Sequence, residues 1–215
     1  MTSVKKELRE FLQNYMVKII GFGKVPENVE LLEIPAELPR AIVFGYPLSE
    51  SVLQTIKSRP TLIYKHHYKT VNWILDQTAY HLAHFIEGKG AKAIAIPASQ
   101  MVDWQTQKGH ISHKALAEAA GLGFIGRSGL LVHTQYGARV RYCSILTDLS
   151  FESDPRVEQN CGECLKCIKA CPGQAISKDG VDLSRCLEQL KEFSKIRGIG
   201  QYICGVCVKV CDGKN

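Results

Sequence analysis

The nine cysteines constrain this chain of 215 residues more than any other feature of its sequence. Four of them lie in the run Cys161-Gly-Glu-Cys164-Leu-Lys-Cys167-Ile-Lys-Ala-Cys171-Pro. This run matches the C-x2-C-x2-C-x3-C-P pattern with which bacterial proteins bind 4Fe-4S clusters. Four further cysteines follow in the C-terminal tail, which brings the total there to eight: Cys186, Cys204, Cys207 and Cys211. We therefore predict that the tail binds two 4Fe-4S clusters.

The eight cysteines divide into two sets, because the fourth cysteine of such a run binds the other cluster in two-cluster proteins. One cluster is predicted to be bound by Cys161, Cys164, Cys167 and Cys211, and the other by Cys171, Cys186, Cys204 and Cys207. Two zinc sites are the alternative, since C-x2-C pairs suit tetrahedral zinc, but the third close cysteine and the Cys-Pro favour iron and sulfide. Cys143 is left over in a predicted strand, which predicts a buried thiol.

The composition predicts a globular protein with one larger and one smaller domain. No apolar run reaches the ~20 residues that a membrane span needs, and the N-terminus has no apolar signal core. These features predict a cytoplasmic protein without a membrane partner, in which thiols stay reduced and free to bind metal. The formal charge of +6 is spread along the chain without a basic run. Nucleic acid is therefore kept as a partner class but is not favoured.

Helices and strands alternate before the cysteine-rich tail, which predicts an α/β or α+β layered domain over residues 1–150. Helices are predicted from Val4 to Tyr15, from Ser49 or Ser51, over Leu62–Glu87, and from Ser112 to Gly121, with strands near 17–22, 41–46 and 91–97. A hairpin around Gln135-Tyr-Gly137 is predicted to pair residues 130–133 with 138–146. A polar linker, Glu152–Arg156, then leads into a second domain over residues 151–215.

The segment Gly121-Leu-Gly-Phe-Ile-Gly126 fits the dinucleotide fingerprint, but it follows the end of a helix rather than a strand. Its glycines more plausibly allow a tight backbone path close to a ligand. Read together with Arg127-Ser-Gly-Leu-Leu, Tyr136-Gly-Ala-Arg-Val-Arg141 and the double-cluster motif, it resembles the cobalamin-dependent reductases, which include epoxyqueuosine reductase and the reductive dehalogenases. The resemblance spans roughly residues 70–215.

The resemblance implies a nitroreductase-like cofactor domain that binds a corrinoid, followed by a ferredoxin-like domain whose clusters feed electrons to cobalt. The residues that it places along the corrinoid are Gly121, Leu122, Gly123, Gly126, Arg127, Ser128, Tyr136, Gly137 and Arg141. It also implies a low-potential electron donor, a ferredoxin or a flavodoxin. The substrate would be a small molecule or a modified nucleoside.

Reductive cleavage needs a proton donor and a cation beside the leaving group. Tyr68, His110 and Arg127 are the predicted catalytic residues, with His113 as a further histidine that could donate to substrate or sit under cobalt. Epoxyqueuosine reductases have an acidic residue ahead of the Ala-Gly-Leu-Gly block, where this chain has Gln107, although Asp103 lies nearby. Trp104 is predicted to be buried or to cover a pocket. The pairs His66–His67 and His81/His84 are predicted to be packing residues.

We expect an iron-sulfur, corrinoid-dependent oxidoreductase that reductively cleaves an epoxide or an organohalide. The alternative is an iron-sulfur electron carrier that serves a separate corrinoid protein or enzyme. A cytoplasmic chain of this length departs from the usual dehalogenases, which are longer and exported. The chain also ends without the helical-repeat extension associated with tRNA handling, which makes tRNA the runner-up substrate class.

Overall fold

A computed structural model describes residues 3–213, so Met1 and Thr2 of the expected signal-free N-terminus lie outside the described residues. Elements are numbered along the chain. The helices are α1 (Ser3–Gln13), α2 (Glu50–Gln54), α3 (Leu62–Glu87), α4 (His113–Ala119), α5 (Lys166–Ala170), α6 (Leu183–Ser194) and α7 (Val206–Val210). The strands are β1 (Ile19–Lys24), β2 (Arg40–Pro47), β3 (Ala93–Ile96), β4 (Phe124–Ile125), β5 (Leu131–Val132), β6 (Val140–Thr147), β7 (Ile176–Ser177) and β8 (Gly180–Val181).

The chain divides into two compact units whose segments alternate along the sequence. The first unit contains residues 1–46, 72–123 and 141–157, and the second contains 47–71, 124–140 and 158–215. The predicted domains over residues 1–150 and 151–215 stay a prediction. Segments 47–71 and 124–140 group with the cysteine-rich tail.

A four-stranded sheet in the order β1-β2-β6-β3 forms the centre of the first unit. β1 pairs antiparallel with β2, and β3 pairs antiparallel with β6 from Ala93↔Thr147 to Ile96↔Ser144. β6 and β2 are buried over most of their length. β2 is apolar from Ala41 to Phe44, whereas β6 combines apolar residues with Arg141, Ser144 and Thr147.

Glycines in β1 allow helix α4 to approach the sheet closely. A Cβ atom at Gly21 would lie 2.4 Å from the Ala120 carbonyl oxygen, and one at Gly23 would lie 3.0 Å from backbone atoms of Ala119. Any larger residue would force the helix away from the strand. Ser112 caps α4 as predicted, because its side chain accepts a hydrogen bond from the Ala115 amide.

Helix α3 begins and ends at the residues that the periodicity predicted, Leu62 and Glu87. The apolar positions Leu75, Leu82 and Ile86 are fully buried. Trp73 and Tyr80 lie on the exposed side, with 64% and 56% of their surface accessible. The residues of α3 up to Val71 belong to the second unit, and those from Asn72 belong to the first.

The second unit consists of short elements around the cysteines. Helix α5 packs against α7, and β4–β5 and β7–β8 form two small antiparallel sheets. Gly205, with a φ of +83°, lies where a Cβ atom would be 2.6 Å from the Tyr64 ring and 2.7 Å from Ile56. The start of α7 can therefore pack against these side chains only because residue 205 is glycine.

The predicted hairpin is wrong. β5 pairs with β4, and β6 lies in the four-stranded sheet. Within residues 3–213, the predicted hairpin is reduced to the isolated bridge His133↔Gly137 at its turn. The reason is that β6 gains ladders with β2 and β3 on both of its edges, which outweigh a short local pairing. The turn at Gly137, with a φ of +60°, is real but does not continue into a hairpin.

The polar segment around Asp154 is fixed in place rather than being an open linker. The Asp154 carboxylate accepts hydrogen bonds from Lys5, from Arg9 at 3.2 Å and from the Phe22 amide at 3.1 Å. Its own amide donates to the Phe22 carbonyl at 2.7 Å. The segment therefore belongs to the first unit. Among the described helices, none has the length and apolar character needed to cross a membrane.

Candidate iron-sulfur site

Four cysteines of the second unit line one small cavity. Cys161, Cys164, Cys167 and Cys211 surround it, together with Gly126, Arg127 and Ser128 from the glycine-rich segment. These cysteines are the first set that the sequence predicted. Burial raises the pKa of Cys167, and the thiols of Cys211, Cys161 and Cys164 raise it further in that order. The four sulfur atoms are therefore close enough to interact electrostatically.

The second set is also brought together. Burial raises the pKa of Cys204 to about 11, with smaller contributions from Cys186 and Cys171. Burial raises the pKa of Cys207 far above its usual range, and Cys204, Cys186 and Cys171 add to this effect, as does Cys167 of the first set. A thiol that is hard to ionise alone becomes a thiolate readily when a metal replaces its proton. Both sets thus have the donors that iron and sulfide prefer.

Backbone amides point at sulfur atoms in both sets. The Arg127 amide lies 3.5 Å from Cys161 Sγ, and the Ala175 amide lies 3.3 Å from Cys171 Sγ. Gly126 makes the first approach possible, because a Cβ atom there would lie 3.1 Å from Cys161 Sγ and 2.7 Å from Val132. Amide groups aimed at sulfur stabilise the anionic form and help to set the potential of a bound cluster.

The Arg127 side chain binds the loop that carries the first cysteines. Its guanidinium donates to the carbonyls of Cys164 at 2.9 Å, Gly162 at 2.8 Å and Lys178 at 3.3 Å. The sequence predicted that this cation would hold a leaving group or a corrinoid edge. In the structure Nε, Nη1 and Nη2 each donate to a protein carbonyl, and the predicted role toward a leaving group or a corrinoid stays a prediction.

Cys211 is held by the turn at Gly137. A Cβ atom at Gly137 would lie 2.2 Å from the Cys211 carbonyl oxygen, which in turn accepts a hydrogen bond from the Ala138 amide at 3.1 Å. Arg139 donates to the Lys209 carbonyl at 2.6 and 3.0 Å and pairs with Glu50. These contacts place the end of α7. Tyr136, predicted to line a corrinoid, lies half-buried beside the His133 ring at 5.3 Å.

The other predicted cofactor residues lie in the first unit, where they make internal contacts. Gly121 has a φ of +72°, and a Cβ atom there would lie 2.2 Å from the Pro155 carbonyl oxygen. Leu122 and Gly123 are buried. Arg141 donates to Asn72 and to the Ala98 carbonyl, each at 3.0 Å. The glycine of the Ala-Gly-Leu-Gly block and the arginine are thus used in packing and in a buried polar network.

This polar network was not predicted from the sequence. Asp76 accepts a hydrogen bond from the Ala98 amide at 2.7 Å, and the buried Cys143 thiol donates to the Ile96 carbonyl at 2.9 Å. Asn72 and Asp76 lie on the inner side of α3. The apolar periodicity of this helix gave no indication of polar contacts there. Cys143 is the buried thiol that the sequence predicted, and desolvation raises its pKa well above the usual range.

His113 is fully buried between two protein partners. Nε2 lies 2.9 Å from the Pro97 carbonyl and Nδ1 lies 2.8 Å from Ser144 Oγ. A carbonyl only accepts, so Nε2 carries the proton and the serine hydroxyl donates to Nδ1. Burial lowers the pKa of His113 to about 4. Its two nitrogens therefore serve the fold and not a cobalt ion or a substrate.

The predicted proton donors have diverse surroundings. His110 Nδ1 lies 3.1 Å from the Leu32 carbonyl and 3.6 Å from Glu33, so it anchors the loop before β2. The ring of Tyr68, in α3 of the second unit, lies 6.3 Å from that of Tyr64. Its role as a donor stays a prediction.

Asp103, the acidic residue near Gln107, stabilises a turn through its carboxylate. The Asp103 carboxylate accepts hydrogen bonds from the Thr106 hydroxyl, the Gln105 amide at 2.8 Å and the Thr106 amide at 3.3 Å. These bonds, that of the Thr106 hydroxyl foremost, lower the pKa of Asp103. An ionised carboxylate cannot donate a proton at neutral pH. Trp104 beside it is 64% exposed, so its predicted burial is wrong.

The remaining histidines contact neighbouring side chains and backbone. His81 stacks on Tyr15 at 5.6 Å and His84 meets Tyr80 edge-on at 4.4 Å. His67 Nε2 accepts a hydrogen bond from the Ser49 amide at 3.0 Å. Within residues 3–213, no three His, Cys, Asp or Glu side chains form a group that could hold a single metal ion.

Comparison with known proteins gives relatives by sequence and neighbours by structure, while no protein-family model matches the chain. An epoxyqueuosine reductase of Bacillus subtilis (strain 168) is 34% identical in an alignment of 125 positions that covers 54% of this chain and 31% of that protein. The match thus spans about a third of the length of such relatives.

Two solved structures show that the fold is shared. A catabolic reductive dehalogenase in complex with 3-bromo-4-hydroxybenzoic acid superposes with a TM-score of 0.78 at 17% identity, covering 97% of this chain and 31% of that one. An epoxyqueuosine reductase with a tRNA-Tyr epoxyqueuosine-modified stem loop gives a TM-score of 0.64 at 22% identity, covering 97% and 64%. The mixed α/β fold is therefore the one found in both groups of reductases.

Proposed function

We propose that this chain, an epoxyqueuosine reductase-like and reductive dehalogenase-like protein, is an iron-sulfur reductase whose second unit binds two 4Fe-4S clusters. The observation that carries the proposal is the cavity lined by Cys161, Cys164, Cys167 and Cys211, the first set that the two-cluster pattern predicts. The thiols of Cys186 and Cys171 interact electrostatically with Cys204, which supports the second set. The clusters, when bound, accept and pass on single electrons.

The residues around the first set fit a cluster. Four thiols line one cavity, Gly126 leaves room beside Cys161, and the Arg127 amide points at its sulfur. The Arg127 guanidinium holds the intervening loop through the carbonyls of Gly162 and Cys164. We assign Arg127 the role of a positioning residue that keeps the cysteine loop in its binding conformation.

The similarity to the cobalamin-dependent reductases is the only support for a bound corrinoid. The contacts of Gly121 and Arg141 inside the first unit do not single out a corrinoid, so they do not support the lining role predicted for them. No mechanistic step is therefore assigned to cobalt. The domain names, nitroreductase-like and ferredoxin-like, belong to the proposal in the same way.

An epoxide in a modified nucleoside is the favoured substrate class. The Bacillus subtilis epoxyqueuosine reductase is similar in sequence, at 34% identity over 54% of this chain, whereas the dehalogenase neighbour, at 17% identity, shares the fold alone. Reductive opening of an epoxide needs electrons and a proton at the oxygen that leaves. Neither Gln107 nor the ionised Asp103 can supply that proton, which leaves Tyr68 and His110 as the candidates to test.

The test is anaerobic reconstitution with iron, sulfide and hydroxocobalamin, followed by metal analysis and electron paramagnetic resonance. About eight irons per chain are expected for two clusters, with one cobalt and a base-off Co(II) signal. The loaded protein is then reduced and incubated with epoxyqueuosine-containing tRNA, and the nucleosides are analysed. Eight irons without cobalt would favour the electron-carrier alternative, and no iron would disprove both.

A further inference from the structure

The positive charge of the chain is concentrated in the unit that contains the eight cysteines. The second unit has 15 basic and 8 acidic residues, a formal charge of +7. The first unit has 12 basic and 13 acidic residues, a formal charge of −1. The formal charge of +6 looks evenly spread along the sequence. In the folded chain it is divided unevenly between the two units.

Cluster binding does not remove this excess. Eight thiolates add eight negative charges, and two oxidised 4Fe-4S cores together return about four positive ones. The loaded unit would thus keep a charge of about +3 by the same count. Part of the basic excess offsets the clusters, and the rest faces solvent, where it attracts acidic partners.

Three exposed cations of this unit lie close in the chain to exposed apolar side chains. Lys57, Arg59 and Arg197 are exposed, and none forms an ion pair with a residue between 3 and 213. Leu62, Ile63 and Tyr202 are 58%, 50% and 42% exposed. We call these six residues the α3 patch.

Contacts inside the unit hold the parts of the α3 patch together. A Cβ atom at Gly198 would lie 2.9 Å from Leu62, and Lys65 Nζ donates to the Gly198 carbonyl at 2.6 Å. Gly205 lies equally close to Tyr64. Segment 198–205 is therefore held against the first turn of α3 at both of its ends, and Cys204 lies within it.

We propose that the α3 patch is the docking surface for a small acidic electron-transfer protein that reduces the cluster of the Cys171, Cys186, Cys204 and Cys207 set. The proposal rests on the proposed function. Exposed apolar side chains accompanied by unpaired basic residues suit a transient protein partner of opposite charge, and Tyr202, two residues from Cys204, places the patch near the point of electron entry. In each encounter the donor loses one electron, and the cluster takes it up and goes from 2+ to 1+.

The test compares two triple charge reversals in the reconstituted full chain. The patch variant is Lys57→Glu, Arg59→Glu and Arg197→Glu. The control is Lys18→Glu, Lys24→Glu and Arg156→Glu, three exposed residues of the first unit that also form no ion pair within residues 3–213. Both variants change the net charge equally. Reduction of the clusters by a reduced, strongly acidic ferredoxin is followed by stopped flow at low and high salt, with dithionite as a small reductant.

We expect the patch variant to lose about tenfold or more in the second-order rate at low salt, and the control to lose much less. The difference should shrink at high salt, and dithionite should reduce all three proteins equally. Equal rates in the patch variant and the parent, with dithionite-reducible clusters, would overturn the docking proposal alone. A parent that binds no iron would overturn the proposed function as well.

Nucleic acid is the competing use of a basic surface, and the same variants decide between the two. Binding of a tRNA anticodon stem loop is measured for the parent and both variants. RNA binding that depends on the α3 patch while ferredoxin reduction does not would assign the surface to RNA and overturn the proposal. Ferredoxin reduction that depends on the patch while RNA binding does not would support it.

Discussion

Arg127 connects the glycine-rich segment to the first cysteine loop through three carbonyls. Replacing it by Gln removes charge-assisted hydrogen bonds worth roughly 1.5 to 3 kcal/mol each when shielded from water. We expect Arg127→Gln to lose iron to a chelator at least about tenfold faster than the parent. It should also lower the reduction potential, because a cation near the cluster is lost. Arg127→Lys should fall between the two.

Arg185 provides the control for this prediction. It is exposed on α6, and within residues 3–213 it forms one ion pair, with Asp182 three residues away. Arg185→Gln removes the same charge from the same unit without touching the cysteine loop. If both variants retained iron as the parent does, Arg127 would not be a positioning residue.

His113 makes the stability of the first unit depend on pH. The folded protein holds the imidazole neutral with a pKa of about 4, whereas the unfolded chain titrates near pH 6.5. The unfolded state therefore binds more protons between these values, and stability is lost as pH falls through this window. From pH 7 to 5 the loss from this one group is about 2 kcal/mol.

The measurement is urea unfolding at pH 7 and pH 5, followed by the fluorescence of Trp73 and Trp104, both in the first unit. His113→Gln should be less stable than the parent at pH 7, because the bonds to Pro97 and Ser144 are disturbed. Its stability should change less with pH than that of the parent. An unchanged pH dependence would mean that His113 is not the titrating group.

At the scale of elements, the close packing of α4 on β1 depends on Gly21. Gly21→Ala would place a methyl group 2.4 Å from the Ala120 carbonyl oxygen, so helix or strand must move. Overpacking of this kind typically costs about 1 to 3 kcal/mol. Gly88→Ala is the control, since its Cβ atom would meet nothing closer than 3.4 Å. Unfolding midpoints in urea should fall clearly for the first variant and little for the second.

Sequence reasoning succeeded where local rules decide the structure. The bounds of α3 follow from apolar periodicity and the glycines after it, and the cap at Ser112 follows from its hydroxyl. The cysteine spacing predicted the four residues that line one cavity, Cys161, Cys164, Cys167 and Cys211, while cluster binding stays a prediction. What escaped prediction depends on partners distant in the chain: the ladders on both edges of β6 and the carbonyls that Arg127 reaches from residues 162, 164 and 178.

At the scale of the whole molecule, the tail does not form its unit alone. Segment 47–71 supplies Ile56 and Tyr64 against Gly205, and segment 124–140 supplies Arg127 to the first cysteine loop. A fragment of residues 151–215 should therefore retain much less iron after reconstitution than the full chain does. Iron per chain after desalting measures this directly. Full retention by the fragment would restore the contiguous second domain that the sequence suggested.

The two units are built from six segments that alternate along the chain. This arrangement affects how the gene can evolve by recombination. A cluster-binding module joined end to end could be exchanged between genes by a single recombination event. Here one crossover near residue 157 would part Arg127 from Gly162 and Tyr64 from Gly205. The halves of the gene are expected to descend together, so phylogenies built from residues 1–157 and from the tail should agree.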